Sequence, residues 1–127
     1  MKKDFKKWHD IKENIHNNNG QPYFYEREIW FCSIGCNVGS EEDGKHKNFE
    51  RPVLILKKIN SHTFWGIPLT SKIKKGKYHY MFFFNNKISI AKLSQLRLFD
   101  AKRLSRKFGI ILYRDFSNLK NLLKKLI

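Results

Sequence analysis

Hydrophobic positions in this chain change period twice, from helical spacing to that of strands and back to helical spacing at the C-terminal end. Phe5, Trp8, Ile11 and Ile15 recur at helical spacing with lysines on the other side. The stripe predicts an amphipathic helix over residues 4–16 with Asp4 as its cap. Asn17-Asn18-Asn19-Gly20 and Pro22 end it and form a linker. From Glu26 the pattern is that of strands. Ile29, Trp30, Phe31 and Cys32 make the first, closed by Gly35. A polar loop over 35–50 leads to a second strand, 51–59. Its unbroken run Val53-Leu54-Ile55-Leu56 predicts cover on both faces, because a half-exposed strand would alternate. Asn60-Ser61 predicts a tight turn, 62–69 a third strand, and 72–77 a basic loop. A fourth strand spans 78–84, Asn85-Asn86 makes a hairpin turn, and 87–99 forms a long strand or bent pair. Asp100 is expected to cap a helical turn over 101–106 with Leu104 inward. A short last strand follows over 108–112. A terminal helix, capped by Asp115 or Ser117, then places Phe116, Leu119, Leu122, Leu123 and Leu126 on one face.

Many short strands with tight turns predict a mainly β fold, a small and strongly bent antiparallel sheet or barrel closed by the C-terminal helix. Residues 1–20 are expected to be a helical extension and linker, and 21–127 a single domain. The 127 residues are 41% hydrophobic and 15% aromatic, enough for one modest core. Charge adds more: 26 Lys and Arg against 11 Asp and Glu leave +15. Such a surface favours polyanions, with nucleic acid first and an acidic protein segment next. No stretch reaches the roughly 20 apolar residues of a membrane span, and the basic N-terminus lacks the apolar segment of a signal peptide. A cytoplasmic protein without membrane partners is expected. Cys32 and Cys36 lack the second ligand pair of a structural zinc site and are expected to be reduced, with no metal.

Candidate chemistry concentrates between Gly39 and Ser71. Glu41 opens a Gly-bounded loop, Arg51 ends it, and Thr70-Ser71 ends the third strand. An acid, a guanidinium and a hydroxyl brought together suit a phosphodiester: a base for a proton, paired donors for phosphate oxygens, and a short hydroxyl. His46 is the other titratable group close by. Each residue has an ordinary reading too. Arg51 would serve as a sheet-edge partner of Glu50 or Glu28, Thr70 as a turn-closing hydroxyl, and His46 as a solvated loop residue. The basic clusters at 72–77 and 102–107 are solvated faces, unless a groove between them makes them phosphate rails.

Four stretches in order resemble the MazF/PemK-type toxins of type II toxin–antitoxin systems. They are Glu28-Ile29-Trp30, Gly39-Ser40-Glu41 followed by Arg51-Pro52-Val53-Leu54-Ile55, Pro68-Leu69-Thr70-Ser71, and the segment 93–100 with Arg103-Leu104. The resemblance implies an SH3-like barrel that forms a homodimer, to which this chain adds the N-terminal helix. It also implies a metal-independent endoribonuclease, without cofactor, that cuts single-stranded RNA at short sequences and is neutralised by a cognate acidic antitoxin. Residue by residue, Arg51 and Thr70 fall on the family's catalytic arginine and threonine. Glu41 matches the acid of its Gly-Ser-Glu turn, and Gln95 and Arg97 lie in its Gln-x-Arg segment. Ser40, Ser71 and Lys72 are expected beside them as RNA contacts. The chain departs from the pattern in its longer loop around 44–49. It also has Ser94 where some members carry an acid, which shifts the general base to Glu41 or His46. The alternative function is a non-catalytic basic SH3-like module that holds nucleic acid or an acidic peptide.

Overall fold

The second strand sits at the centre of the molecule because both its faces are apolar. In the computed structural model β2 (Glu50–Lys58) lies between β1 (Glu28–Ser33) and β3 (Thr63–Thr70), antiparallel to both. Leu54 enters one core with Ile29, Ile67, Leu69 and Phe82, while Val53 and Ile55 enter another with Phe24, Trp30, Phe64 and Phe99. All three β2 residues are fully buried, as the unbroken run predicts. The structure describes residues 22–34, 50–73 and 75–127. The predicted first helix and most of its linker, Cys36, Ser40, Glu41, His46 and the long loop up to residue 49 lie outside the described residues.

The remaining strands are β4 (His79–Phe84), β5 (Lys87–Lys92), β6 (Arg97–Asp100) and β7 (Leu104–Ile110). Among the described residues they form one seven-stranded antiparallel sheet in the order β4-β5-β3-β2-β1-β7, with β6 also on β3. β3 makes the bend. Its first half pairs with β6 from Thr63↔Asp100 to Gly66↔Arg97, and its last residues pair with β5 at Leu69↔Ala91 and Thr70↔Ile90. A strand that changes partners along its length folds a sheet onto itself. Gly66 allows this closeness, since a Cβ there would lie 2.7–2.9 Å from Val53, Phe99 and Phe64.

Local chemistry explains the connections. Asn60 Oδ1 accepts from the backbone N of His62 and Thr63 at 2.7 and 2.9 Å, closing the β2–β3 turn. Asn85 and Asn86 both adopt positive φ, 52° and 61°, the geometry of a tight hairpin that asparagine tolerates. The long 87–99 segment is the bent pair: β5, a 3-10 turn at Leu93–Gln95, then β6.

Two sequence expectations need correction. The helical turn after Asp100 covers only Ala101–Arg103, and the last strand starts at Leu104, not at Phe108. Pairing with β1 overrides the helix-compatible composition of that segment. Asp100 does cap the turn, accepting from Lys102 N at 2.8 Å, and Leu104 does point inward. The terminal helix α1 (Tyr113–Leu126) starts before Asp115 and Ser117, with Leu112 at its N-cap and no side-chain cap. Asp115 instead accepts from the Tyr80 hydroxyl at 2.9 Å, tying the helix to β4. Phe116 and Leu119 bury the helix face in the first core.

Candidate functional site

Sequence pattern delivers Arg51 and Thr70 to the same end of the β2–β3 pair. Arg51 is the second residue of β2 and Thr70 the last of β3. Each lies two residues beyond the Val53↔Pro68 pair, at the same end of the two strands. Both are buried, and both line a cavity of about 590 Å³, with Ser71 and Lys72 continuing its wall. Thr70 Oγ1 accepts from Lys72 N at 3.2 Å, so its own proton is left to donate elsewhere. Four of the sequence-predicted site residues therefore meet in one place. Lys87 adds a further cation to the cavity lining.

The two acids that the sequence offers as ordinary partners of Arg51 each engage another cation. Glu28 pairs with Lys107 at 2.9 Å, and Glu50 with Arg106 at 2.8 Å. Glu50 also accepts from the Ser105 hydroxyl. It lines the same cavity as Arg51, and it is the only acidic residue among the described residues to do so.

Gln95 and Arg97 do not line this cavity. Gln95 is the exposed last residue of the 3-10 turn before β6. Arg97 pairs across from Gly66 and lies over the Phe99 ring, 4.6 Å from its centroid. Cys32 is completely buried in the second core; burial, reinforced by the Glu50 charge, holds its thiol far above the ordinary range. Among the described residues no group of three or more His, Cys, Asp or Glu could hold a metal ion, and no helix is long and apolar enough to cross a membrane.

What the sequence reading missed is the cavity's other wall, built from Phe31, Phe84 and Phe108. Phe31 and Phe108 lie 4.6 Å apart between centroids, and Phe84 meets Phe108 edge-on at 5.0 Å. Nothing in hydrophobic periodicity distinguishes these rings from core residues. Phe31 and Phe108 lie beside register shifts in the β1–β7 ladder, and Phe84 comes from β4.

Comparisons with known proteins agree with this architecture. The Mycobacterium tuberculosis toxin MazF-mt6 is similar at TM-score 0.60 and 16% identity, covering 78% of this chain and 94% of that one. A crystal structure of an Mtb toxin is similar at TM-score 0.54 and 18% identity, covering 61% and 92%. At such identities the likeness bears on fold, and it identifies the seven-stranded sheet with its terminal helix as the expected MazF-like, SH3-like barrel. Comparison with curated proteins gave no match. The family model for PemK-like, MazF-like toxins of type II toxin–antitoxin systems matches residues 25–127, more than half of the sequence, and the chain belongs to that family.

Proposed function

We propose that this chain is an endoribonuclease that cleaves single-stranded RNA by attack of a ribose 2′-hydroxyl on the adjacent phosphorus. The observation that carries the reading is the meeting of Arg51, Thr70, Ser71 and Lys72 in one cavity at the ends of β2 and β3. In this reaction the 2′-oxygen forms a bond to phosphorus and loses its proton to a base. The bond to the 5′-oxygen breaks, and that oxygen takes up a proton. The products are a 2′,3′-cyclic phosphate and a 5′-hydroxyl, so no water or redox partner enters the balance.

Arg51 supplies paired, permanently charged donors for the phosphate oxygens, whose negative charge grows in the transition state. Thr70 donates its hydroxyl proton to a phosphate oxygen, with the Lys72 amide fixing its rotamer from the acceptor side. Ser71 assists, and Lys72 and Lys87 hold neighbouring phosphates. Glu41 takes the 2′-proton, or His46 in its place; Ser40 contacts RNA. Glu41 and Ser40 rest on the family resemblance, and His46 on being the other titratable group close in sequence. Gln95 and Arg97 act outside the reaction centre, holding flanking RNA or a second copy. The reaction needs no metal on this reading, because the arginine provides the charge.

The functional unit is a homodimer, neutralised by an antitoxin whose acidic segment covers the cationic rim. The +15 charge supports that partner class. Brief induction in a bacterial host, followed by sequencing of RNA ends, tests the reading. It expects growth arrest and new 5′-hydroxyl ends at a recurrent short sequence. Arrest without new RNA ends, or salt-sensitive RNA binding without cleavage, would favour the non-catalytic alternative.

A further inference from the structure

β7 carries one residue more than β1 at two places. Ile29 pairs with Gly109 and Trp30 with Lys107, which leaves Phe108 over; Phe31 pairs with Arg106 and Cys32 with Leu104, which leaves Ser105 over. Extra residues of this kind bend a strand and re-aim a side chain, and they occur preferentially beside functional sites. Here both re-aimed residues serve the same cavity. Ser105 donates to Glu50 in its wall, and the Phe108 ring is itself part of the wall.

Phe108 is held on two sides and open on another. Phe31 lies against it, fixed in turn by Arg106, whose guanidinium sits 4.1 Å from the Phe31 centroid and is anchored on Glu50. Phe84 meets the ring in a T-shaped contact, in space that exists because residue 109 is glycine: a Cβ there would lie 2.5 Å from Phe84 Cζ. Yet Phe108 keeps 40% of its surface exposed. A rigid, half-open aromatic ring beside a cationic rim matches the two parts of a nucleotide, an apolar π-face and a phosphate.

We infer that the Phe108 ring, buttressed by Phe31 and Phe84, is a nucleobase-stacking subsite for the RNA whose phosphate is held by Arg51 and Thr70. This rests on the endoribonuclease reading and deepens it, by assigning the aromatic wall to one base next to the reacting phosphate.

The test uses two uncleavable probes of about ten nucleotides, within the range spanned by single-strand sites: a random-sequence 2′-O-methyl RNA pool and an abasic backbone of equal length. Fluorescence anisotropy reads their affinity for the full-length protein. Wild type should bind the base-bearing pool about 5- to 150-fold more tightly than the abasic strand. Phe108→Ala and Phe108→Leu should erase most of that preference while leaving abasic binding unchanged, and Phe108→Trp should keep it. Because Leu retains apolar bulk without a ring, its loss separates stacking from simple area, and unchanged abasic binding certifies a folded rim. A wild-type preference that survives in both Ala and Leu variants overturns the subsite and leaves the nuclease reading standing, as does a wild type with no preference. Failure of wild type to bind either probe overturns both.

Discussion

Removing the Glu28 carboxylate should be among the most destabilising single changes in the described part of this protein. The group is buried, and it accepts from the Trp30 indole Nε1 and the Tyr25 backbone N, each at 2.9 Å, and pairs with Lys107. Glu28→Ala leaves an interior indole N–H and an amide without an acceptor. Each orphaned donor costs about 1–3 kcal/mol. The Lys107 pair adds little, since that lysine is 42% exposed and solvent screens it. The loss should therefore be roughly 2–6 kcal/mol, a large part of the about 5–15 kcal/mol typical of a domain. Urea unfolding followed by tryptophan fluorescence measures it. Acid titration supplies a second readout with a definite sign. Burial alone would raise the Glu28 pKa, but the bonds from Lys107, Trp30 and Tyr25 and the Lys107 charge outweigh it and hold the value below the ordinary 4.5. The carboxylate's contribution is therefore fully present above about 4.5 and is lost as pH falls through the lower folded value. Wild type should lose stability in that window, whereas Glu28→Gln should lose less there. A Glu28→Ala penalty below about 1 kcal/mol would refute the reasoning that these donors depend on this acceptor.

Three further outcomes follow from the same geometry. Leu54→Ala, at a position fully buried in the central strand, should cost about 2–5 kcal/mol in urea unfolding. Gly66→Ala should cost about 1–3 kcal/mol, because the new methyl lies within 2.9 Å of three side chains where β3 crosses between partners; an unchanged unfolding midpoint would contradict the close approach. Cys32 should resist iodoacetamide in native protein and react once unfolded, read by peptide mass mapping, since burial keeps its thiol protonated.

The sequence disclosed those features that rest on local chemistry. An unbroken apolar run marked the doubly covered β2, paired asparagines marked a hairpin with positive φ, and Asp100 marked a capped turn. Arg51 and Thr70 were legible because each stands near the end of a recognisable strand, and the antiparallel pairing of β2 and β3 puts those ends together. What stayed hidden depends on pairing between distant segments. Leu104 and Phe108 were divided between a turn and a strand because no periodicity announces a residue left over in a ladder. The start of α1 was misplaced for a related reason: Asp115 looked like a cap, but Tyr80 on a distant strand takes its oxygen. Gln95 and Arg97 carry a family-like spacing, yet the 3-10 turn before β6 keeps them out of the Arg51 cavity.

On the proposed reaction, Arg51 stabilises charge on a phosphate undergoing 2′-hydroxyl attack. Single-turnover cleavage of a cellular RNA preparation in EDTA, comparing wild type with Arg51→Ala, tests it most directly, with circular dichroism verifying that both are folded. Wild type should release fragments ending in 2′,3′-cyclic phosphate, and Arg51→Ala should cut at least about 10²–10³-fold more slowly. Cleavage by folded Arg51→Ala at the wild-type rate would contradict the account.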